Sequence, residues 1–330
     1  MKKKIILIGG AGFVGHALAL SLVKKNYEVL IIDSLAVNNL LSLIDEQDSD
    51  KKLFSNILIN RINLIQKSGV KLVVSDARDY HGLSRIIESF DPDVYVHLAG
   101  VSHANRSNKD PHSTFDHNLR TLENCLDNAK LKKKHFIFFS SSMVYGNFVN
   151  DPIKEDDPCK PIGIYGTLKY SGELIVKSYN QIFDLPYTII RPSAVYGERG
   201  TGSRVAQVFI ENAFKKMELK INGTGEEKLD FTYVDDLVEG TIQCIENKSA
   251  INETFNLTNG ESRSMNDLIS ILEKEFPDLR KKYADKEKFM PKRGTLDISK
   301  AKEKLGYKPK NPIEIGYLKY IRWYKEFWNN

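Results

Sequence analysis

A glycine-rich turn near the start of the chain constrains the fold most strongly. Residues 9–15 read Gly-Gly-Ala-Gly-Phe-Val-Gly, after an apolar run at 5–8 and at the start of a helical pattern over 13–25. Glycine is required where the backbone turns tightly and approaches a ligand or a neighbouring strand. A helix N-terminus also presents free N–H groups and a positive dipole end to phosphate. The pattern predicts a dinucleotide site formed by Gly9, Gly12, Phe13, Val14 and Gly15.

The second predicted strand, residues 29–33, ends in Asp33. In a dinucleotide fingerprint, a carboxylate at this place accepts hydrogen bonds from both hydroxyls of the adenosine ribose and repels a 2′-phosphate. Asp33 therefore predicts NAD rather than NADP as the cofactor. The alternative is that Asp33 caps a turn at the end of the strand.

Strand and helix patterns alternate over the first two thirds of the chain. Further strand patterns cover 70–75, 94–99, 136–140 and 187–190, and longer helical patterns cover 111–129 and 165–183. Repeated strand–helix–strand units predict an α/β fold with a doubly wound parallel sheet and helices on both faces. The connection from Leu35 to Ser68 is unusually long, and its sequence indicates only partial helix.

The pattern changes to shorter segments after Gly197. Helical patterns cover 205–214, 235–246, 265–276 and 313–328, and residues 255–257 are extended. We expect a smaller C-terminal α/β lobe at the carboxyl ends of the sheet, where open α/β folds bind ligands. The predicted cofactor domain is 1–195, with 230–258 returning to it, and the predicted substrate lobe is 196–229 and 259–330.

Composition argues against several classes of protein. The chain has 330 residues and a net charge of +5, and its basic residues are dispersed without interleaved aromatic residues, so nucleic acid is not an expected partner. No run reaches the ~18 apolar residues of a membrane span, so no membrane association is expected. The cysteines Cys125, Cys159 and Cys244 are odd in number and lack metal-ligand spacing, which indicates a reducing, cytoplasmic location.

Tyr165 and Lys169 are four residues apart in a helical pattern and share one helix face. An ammonium group beside a phenol is expected to lower the pKa of the Tyr165 phenol toward neutral pH. Such a tyrosine can take a hydroxyl proton while a hydride leaves the same carbon. Ser141 follows the strand 136–140, at the sheet edge where ligands bind, and its hydroxyl can bond the same substrate oxygen. Alone, such a Tyr–Lys pair is also common on helix surfaces.

Motifs over nearly the whole chain carry a family resemblance. They are GGAGFVG (9–15), Asp33, DARD (76–79), HLAG (97–100), SSSMVYG (140–146), YGTLK (165–169), RPSAVYG (191–197), DFTYVDDL (230–237) and RGTLDISKA (293–301). With these motifs the sequence resembles the extended short-chain dehydrogenase/reductase family, in particular its nucleotide-sugar epimerases and dehydratases. The resemblance implies a Rossmann-type fold, bound NAD, a nucleotide-diphosphate sugar as substrate and a homodimer.

The resemblance also implies roles for individual residues. Ser141, Tyr165 and Lys169 would be catalytic, and Tyr165 and Lys169 would also contact the cofactor. Further cofactor contacts would come from Asp76 and Ala77 at the adenine, Leu98, Ala99 and Gly100 beneath the cofactor, and Asn118 at the nicotinamide half. The substrate would be bound by Ser102, Ser142, Met143, Ser193, Arg204, Lys228 and Arg293. For the two arginines, solvated surface positions are an equal alternative to contacts with the diphosphate.

Departures from the family pattern narrow the reaction. Members resembling 4,6-dehydratases have an Asp-Glu pair after the catalytic hydroxyl residue, whereas this chain has Ser142-Met143, which cannot shuttle protons at neutral pH. The reaction that is left is oxidation of the sugar at C4. Its favoured outcome is net C4 epimerisation through a transient 4-keto sugar. A net 4-dehydrogenase that releases the keto sugar is the alternative, and a 4,6-dehydratase is less favoured. The non-enzyme alternative is a catalytically silent nucleotide-binding module.

Three other patterns are interpreted as structural. His97 lies in an apolar strand and is expected to be a core histidine. The gaps between His103, His112 and His117 fit no metal-ligand spacing, so no metal site is expected. The aromatic residues of 317–328 follow helical spacing, which indicates packing of the second lobe.

Overall fold

A parallel sheet of seven strands forms the centre of the structure, a computed structural model that describes residues 2–36, 49–102, 104–202, 204–285 and 291–328. The described strands are β1 (Lys4–Ile8), β2 (Glu28–Asp33), β3 (Lys71–Val74), β4 (Val94–His97), β5 (His135–Phe139), β6 (Tyr187–Arg191), β7 (Val195–Tyr196), β8 (Leu219–Asn222), β9 (Lys228–Asp230), β10 (Thr232–Tyr233), β11 (Glu253–Asn256), β12 (Ser262–Ser264) and β13 (Lys281–Ala284). The sheet order is β11-β6-β5-β4-β1-β2-β3, with parallel neighbours throughout. The predicted doubly wound parallel sheet is confirmed.

Helices cover both faces of this sheet. The described α-helices are α1 (Phe13–Lys24), α2 (Ser49–Lys67), α3 (Tyr80–Phe90), α4 (Ala104–Lys109), α5 (Pro111–Phe115), α6 (Thr121–Lys130), α7 (Gly163–Phe183), α8 (Val205–Phe214), α9 (Val234–Glu246), α10 (Met265–Glu275), α11 (Ser299–Leu305) and α12 (Ile313–Trp328). Alternate β1 side chains enter two different cores: Ile5 and Leu7 pack on the side of α1 and α9, and Ile6 and Ile8 pack on the side of α3, α6 and α7. A strand buried on both faces explains the uninterrupted apolar run.

The predicted single helix over 111–129 is wrong in one respect. A π-helical turn, Asp116–Arg120, separates α5 from α6. Within this turn the buried Asn118 accepts a hydrogen bond from the Val101 backbone N–H at 2.7 Å. A π turn adds one residue to a helical turn and so redirects a side chain. That local change is not visible in a hydrophobic pattern.

The sequence pattern did not place α3, α4 and α11, and it indicated only partial helix in the connection that contains α2. For α3 the signal was present, because Asp79 caps the helix by accepting the Gly82 N–H at 3.1 Å and Leu83 and Ile87 are buried at helical spacing. The connection 35–68 contains α2, as its partial helical pattern indicated. Residues 37–48 of that connection lie outside the described residues.

The C-terminal part forms a second packed layer over the carboxyl edge of the sheet. Its short strand pairs are β7–β10, β8–β13 and β9–β12, and α8, α10 and α12 share one hydrophobic cluster. Tyr317, Tyr320 and Tyr324 are buried in that cluster, which confirms the aromatic stripe as packing. β11 returns to the main sheet, while the proposed domain boundaries remain a prediction. None of the described helices is long and apolar enough to span a membrane.

Buried histidines make the stability of this fold dependent on pH. Burial lowers the pKa of His16 and His97 to about 3 and that of His135 to about 4. Because the neutral form is favoured in the folded state, their contribution is present above the ordinary histidine pKa of about 6.5 and is lost as pH falls toward these values. The free energy of unfolding should therefore decrease with acidification below pH 6.5.

We expect His97→Gln to weaken this dependence, because one buried titrating group is removed. Between pH 6.5 and 5, the loss in free energy of unfolding should be smaller by about 1.5 kcal/mol than in the unsubstituted protein, measured by urea unfolding. The matched control is the exposed His81→Gln, which should keep the original dependence. An unchanged dependence in His97→Gln would contradict the prediction.

Candidate functional site

A cleft of about 480 Å³ lies at the carboxyl edge of the sheet, between the glycine-rich turn, α7 and the second layer. Most residues predicted from the sequence line it: Gly9, Gly12, Phe13, Val14, Gly15, Asp33, Asp76, Ala77, Leu98, Ala99, Gly100, Ser102, Ser141, Ser142, Met143, Tyr165, Lys169, Arg204 and Arg293. The structure therefore brings together residues from both halves of the chain.

Three of the four glycines in the turn, Gly9, Gly12 and Gly15, have two different structural roles. A Cβ on Gly9 would lie 2.6 Å from the Ala99 Cα, and a Cβ on Gly15 would lie 2.6 Å from the Gly10 carbonyl oxygen, so both positions exclude other residues by close backbone packing. A Cβ on Gly12 would meet only the Gly9 carbonyl oxygen, at 3.4 Å. Gly12 is also the N-cap of α1 and provides no side-chain cap. Open space and uncapped N–H groups at one point fit a phosphate group.

Asp33 lies at the end of β2 beside this turn. Its carboxylate accepts the backbone N–H of Ala11 at 2.9 Å and that of Leu35 at 2.8 Å. Burial raises the pKa of Asp33, and these two hydrogen bonds, together with the positive charge of Arg61, oppose the rise. Asp33 thus combines the turn-capping role with a position in the cleft, where lone pairs remain for ribose hydroxyls.

Asp76 and Ala77 lie beside the same end of the cleft. The Asp76 carboxylate is paired with Arg78 at 2.6 Å, and Arg78 also pairs with Asp116 at 2.6 Å. The hydrogen bonds from Arg78 lower the pKa of Asp76. The Ala77 carbonyl accepts a hydrogen bond from the Asn124 amide at 2.9 Å. These contacts fix the shape of this end of the cleft.

Tyr165 and Lys169 lie one turn apart on α7, as predicted, and Ser141 follows β5. The Lys169 ammonium donates to the Phe139 carbonyl oxygen at 2.7 Å, next to the strand end that leads to Ser141. Burial lowers the pKa of Lys169 to about 8, and the nearby Glu173 opposes this decrease. Lys169 is therefore mostly protonated at neutral pH.

The expected lowering of the Tyr165 pKa by Lys169 is not observed. Burial raises the pKa of the Tyr165 phenol, and the opposing influences are Arg204, a hydrogen bond with Ser141, and Arg293. Lys169 is directed to the Phe139 carbonyl instead. The charged groups that favour the phenolate, Arg204 and Arg293, thus come from the second half of the chain, which a helical spacing rule cannot reveal.

Arg293 reaches into the cleft from the C-terminal segment. Its guanidinium donates to the Ser142 hydroxyl at 2.5 Å, to the Ser193 hydroxyl at 3.2 Å and to the Met143 sulfur at 2.9 Å. Burial lowers its pKa to about 10, so Arg293 remains charged at neutral pH. Ser193 is buried behind Arg293 and positions it rather than lining the cleft. The surface alternative for Arg293 is therefore wrong.

Behind the cleft, Glu173 and Arg191 form a buried ion pair. Arg191 donates to both carboxylate oxygens of Glu173, at 2.9 and 2.6 Å. The Ser140 hydroxyl donates to the same carboxylate at 2.5 Å, and Arg191 donates to the Tyr145 hydroxyl at 2.9 Å. The pair ties α7 to the ends of β5 and β6, from which the catalytic candidates project.

Besides Ser193, two predicted residues do not line the cleft. One is Asn118, whose amide oxygen accepts the Val101 N–H and so holds the loop beneath the cleft. Lys228 is exposed on β9 and outside the cleft lining, because it lies on the far side of a short strand whose next residue, Leu229, faces the cleft. Neither residue is part of the cleft lining, and their contacts with a ligand stay predictions.

The sequence pattern did not single out Arg61 or Asp230. Arg61 lines the cleft from α2, within a connection that carried no motif. Asp230 is buried, accepts the Leu296 N–H at 3.1 Å and interacts electrostatically with Arg293. For Asp230 the only signal was its place in the DFTYVDDL motif.

His97 is a core residue, as predicted. Its Nε2 lies 3.2 Å from the Thr121 hydroxyl oxygen, and its ring packs between Phe136 and Phe138. Within the part of the chain that the structure describes, no group of three His, Cys, Asp or Glu residues could hold a metal ion. His103 lies outside that part.

Gly12 provides a test of the dinucleotide site that leaves the fold intact. We expect Gly12→Ala to lower the affinity for NAD by more than ~10-fold, since the methyl group occupies the phosphate position, with a melting temperature within a few degrees of the original. Affinity is measured by calorimetry on cofactor-stripped protein. The contrasting variant, Gly15→Ala, should lower the melting temperature as well, because its Cβ meets backbone. Unchanged NAD affinity in Gly12→Ala would refute the assignment.

The chain is similar to known proteins over most of its length. The sequence profile of the NAD-dependent epimerase/dehydratase family matches residues 5–258. The chain is 31% identical to the putative UDP-glucose 4-epimerase of Methanocaldococcus jannaschii over 331 residues, which covers 97% of this chain and 98% of that protein. It is 29% identical to the UDP-glucuronate 4-epimerase of Thermodesulfobacterium geofontis over 328 residues, 97% of this chain and 96% of the relative.

A solved structure extends the similarity to three dimensions. The UDP-glucuronic acid 4-epimerase from Bacillus cereus, crystallised in complex with UDP-glucuronic acid and NAD, superposes with a TM-score of 0.86 at 30% identity. The superposition covers 98% of this chain and 99% of that one. Together with the glycine turn, Asp33 and the Ser–Tyr–Lys group in one cleft, these similarities show that the chain belongs to the NAD-dependent epimerase/dehydratase family.

Proposed function

We propose that this protein interconverts the C4 epimers of a UDP-sugar, with NAD as a bound cofactor. The observation that carries the proposal is one cleft lined by the glycine-rich turn and by Ser141, Tyr165 and Lys169. The relatives named as UDP-glucose and UDP-glucuronate 4-epimerases support the substrate class.

In the proposed reaction, Tyr165 acts as the base. Its phenolate takes the proton of the C4 hydroxyl, while the Ser141 hydroxyl hydrogen-bonds the same oxygen. When bound, NAD would supply first the acceptor and then the donor of the C4 hydride. Tyr165 holds the proton while the C4 carbonyl sugar turns in the cleft, and gives it back to the oxygen when C4 is reduced on its opposite face. No net oxidation results, so no external acceptor is required.

The positive groups of the cleft support this role of Tyr165. Arg204 and Arg293 oppose the rise that burial imposes on the Tyr165 pKa. Lys169 is held by the Phe139 carbonyl close to the end of β5, which allows its ammonium to bind a ribose hydroxyl of the cofactor. These three cations also suit a ligand that carries negative charge.

The dehydratase alternative lacks an acid and a base. In the described lining of the cleft, the carboxylates are Asp33 and Asp76, both at the adenosine end. Ser142 and Met143 stand next to Ser141 and carry no group that titrates near neutral pH. A 4-dehydrogenase would use the same three residues and differ only in releasing the keto sugar.

Arg293 favours an acidic sugar. Its guanidinium bonds Ser142 and Met143, the residues adjacent to the catalytic Ser141, and Asp230 interacts with it from outside the cleft lining. A cation so close to the carbon that reacts would contact the substituent on the neighbouring carbon of the sugar. We therefore propose a uronate as the preferred substrate, with Arg204 serving the diphosphate.

We also propose that the protein forms a homodimer. The helices α5, α6 and α7 adjoin one another, and Phe115, Leu174 and Ile182 on this side are exposed. Exposed apolar residues on adjoining helices are typical of a helical interface between copies of a chain.

The first experiment is proton NMR of UDP-sugars incubated with purified protein and no added oxidant. The expected result is a new C4 epimer without accumulation of NADH. A 6-deoxy-4-keto product would establish a dehydratase, and stoichiometric NADH with a 4-keto sugar would establish a dehydrogenase. Absence of any reaction across the panel, with NAD bound, would favour the silent nucleotide-binding module.

Tyr165→Phe tests the assigned base. We expect turnover to fall by ~10²- to 10⁴-fold, since only the phenolic oxygen is removed, while bound NAD is retained. The neighbouring Tyr170→Phe on α7 is the matched control and should keep full activity. Turnover is followed by NMR and retained NAD by chromatography of the denatured protein. Full activity in Tyr165→Phe would exclude this role.

Arg293→Met tests the acidic sugar. The unsubstituted protein should have a higher kcat/KM for UDP-glucuronate than for UDP-glucose, and the ratio should fall by about 10- to 100-fold in the variant, because a charged hydrogen bond is lost. The exposed Arg322→Met should preserve the ratio. A preference for UDP-glucose that Arg293→Met leaves unaltered would overturn the uronate assignment.

A further inference from the structure

Arg61 is a buried arginine that the catalytic scheme does not use. It lies on α2, only 1% exposed. Its Nε and Nη2 donate to the Arg199 carbonyl oxygen at 3.0 and 2.5 Å, and Nη2 also donates to the Thr201 hydroxyl at 2.6 Å. One side of the guanidinium thus holds the loop that leads to α8.

Arg61 also lines the cleft. Its Nη1 atom is buried and has no hydrogen-bond partner among the described residues. A buried cationic donor without a partner is costly. Because Nη1 is buried within the lining of a ligand cleft, a ligand atom is the natural partner.

The surroundings identify the chemistry of that partner. The guanidinium lies 5.9 Å from the ring centroid of Phe13, the first residue of α1. Asp33, at the end of β2, interacts with Arg61 electrostatically. The unpaired N–H groups of Arg61 are therefore close to the end of β2 and to the N-terminus of α1, where a phosphate is favoured.

We propose that Arg61 Nη1 binds the pyrophosphate of the dinucleotide and retains the cofactor during turnover. The proposal rests on the dinucleotide site of the family and not on which sugar reacts. Retention matters here because a cofactor that accepts and then returns a hydride must stay bound between the two transfers.

The fold supplies a reason for this residue on α2. Ile57, one turn before Arg61, is fully buried in the cluster of the second layer, and Asn60 accepts a hydrogen bond from Arg199 at 2.8 Å. The helix therefore bridges the sheet and the second layer across the adenosine end of the cleft. In this proposal, Arg61 is the residue of α2 that contacts the cofactor.

The experiment measures ligand binding to the full chain after the cofactor has been stripped. Calorimetry gives the affinities for NAD, ADP-ribose and NADP of the unsubstituted protein and of Arg61→Gln, Arg61→Lys and Asn60→Ala. We expect Arg61→Gln to weaken NAD and ADP-ribose equally, by about 10- to 100-fold, because both contain the pyrophosphate. Arg61→Lys should recover part of the loss. Asn60→Ala, which removes a loop contact without touching the ligand, should stay within twofold.

Three outcomes would overturn the proposal. An affinity for NAD that Arg61→Gln leaves unchanged excludes the contact. A loss confined to NADP would assign Arg61 to a 2′-phosphate instead. An equal loss in Asn60→Ala would mean that Arg61 acts only through the loop. If Arg61→Gln melts too low for calorimetry, Arg61→Lys and Asn60→Ala decide the same question. These binding results hold even if the NMR panel yields no epimer, so the two proposals fail separately.

Discussion

The buried pair of Glu173 and Arg191 is the contact on which the geometry of the site depends. Glu173 is one turn beyond Lys169 on α7, and Arg191 ends β6. The same network reaches Ser140 at the end of β5 and, through Tyr145, Asn256 at the end of β11. Removing one partner of a buried ion pair typically costs ~3–5 kcal/mol because the other charge is left without compensation.

This network also connects the C-terminal segment to the sheet. The Asn256 amide donates to the carbonyl oxygens of Ile153 and Asp297, at 3.3 and 3.1 Å. The Leu296 N–H is held by Asp230 at 3.1 Å. Arg293 is three residues before Leu296, so its approach to Ser142 depends on hydrogen bonds that start from the sheet. Residues far apart in the chain are thereby fixed within one cleft.

Positive and negative side chains occupy different parts of the cleft. Four cationic side chains line it: Arg61, Lys169, Arg204 and Arg293. In the described lining, the carboxylates are confined to Asp33 and Asp76 at the adenosine end. The cleft therefore suits two anionic ligands, a dinucleotide and a nucleotide sugar, even though the whole chain has a net charge of only +5. Local placement of charge, rather than the total, selects the ligand.

Local sequence determined much of this protein. The glycine turn, Asp33 and the alternation of strands and helices follow from backbone and burial requirements within a few residues, and the sheet and cofactor end of the cleft could be predicted for that reason. The Tyr165–Lys169 spacing was likewise sufficient to put both on one face of α7. The π turn at Asp116–Arg120 and the short strands of the second layer could not be predicted, because packing between distant segments decides them.

Only the tertiary structure decided which charges act on the site. Arg204 and Arg293 come from the second half of the chain and oppose the rise in the Tyr165 pKa that burial causes. Lys169, one helical turn from Tyr165, instead donates a hydrogen bond to a strand carbonyl. Arg61 comes from a connection without a motif. Electrostatic influence depends on distance and burial in the folded state. A sequence pattern gives neither the distance nor the burial of residues that only the fold brings together.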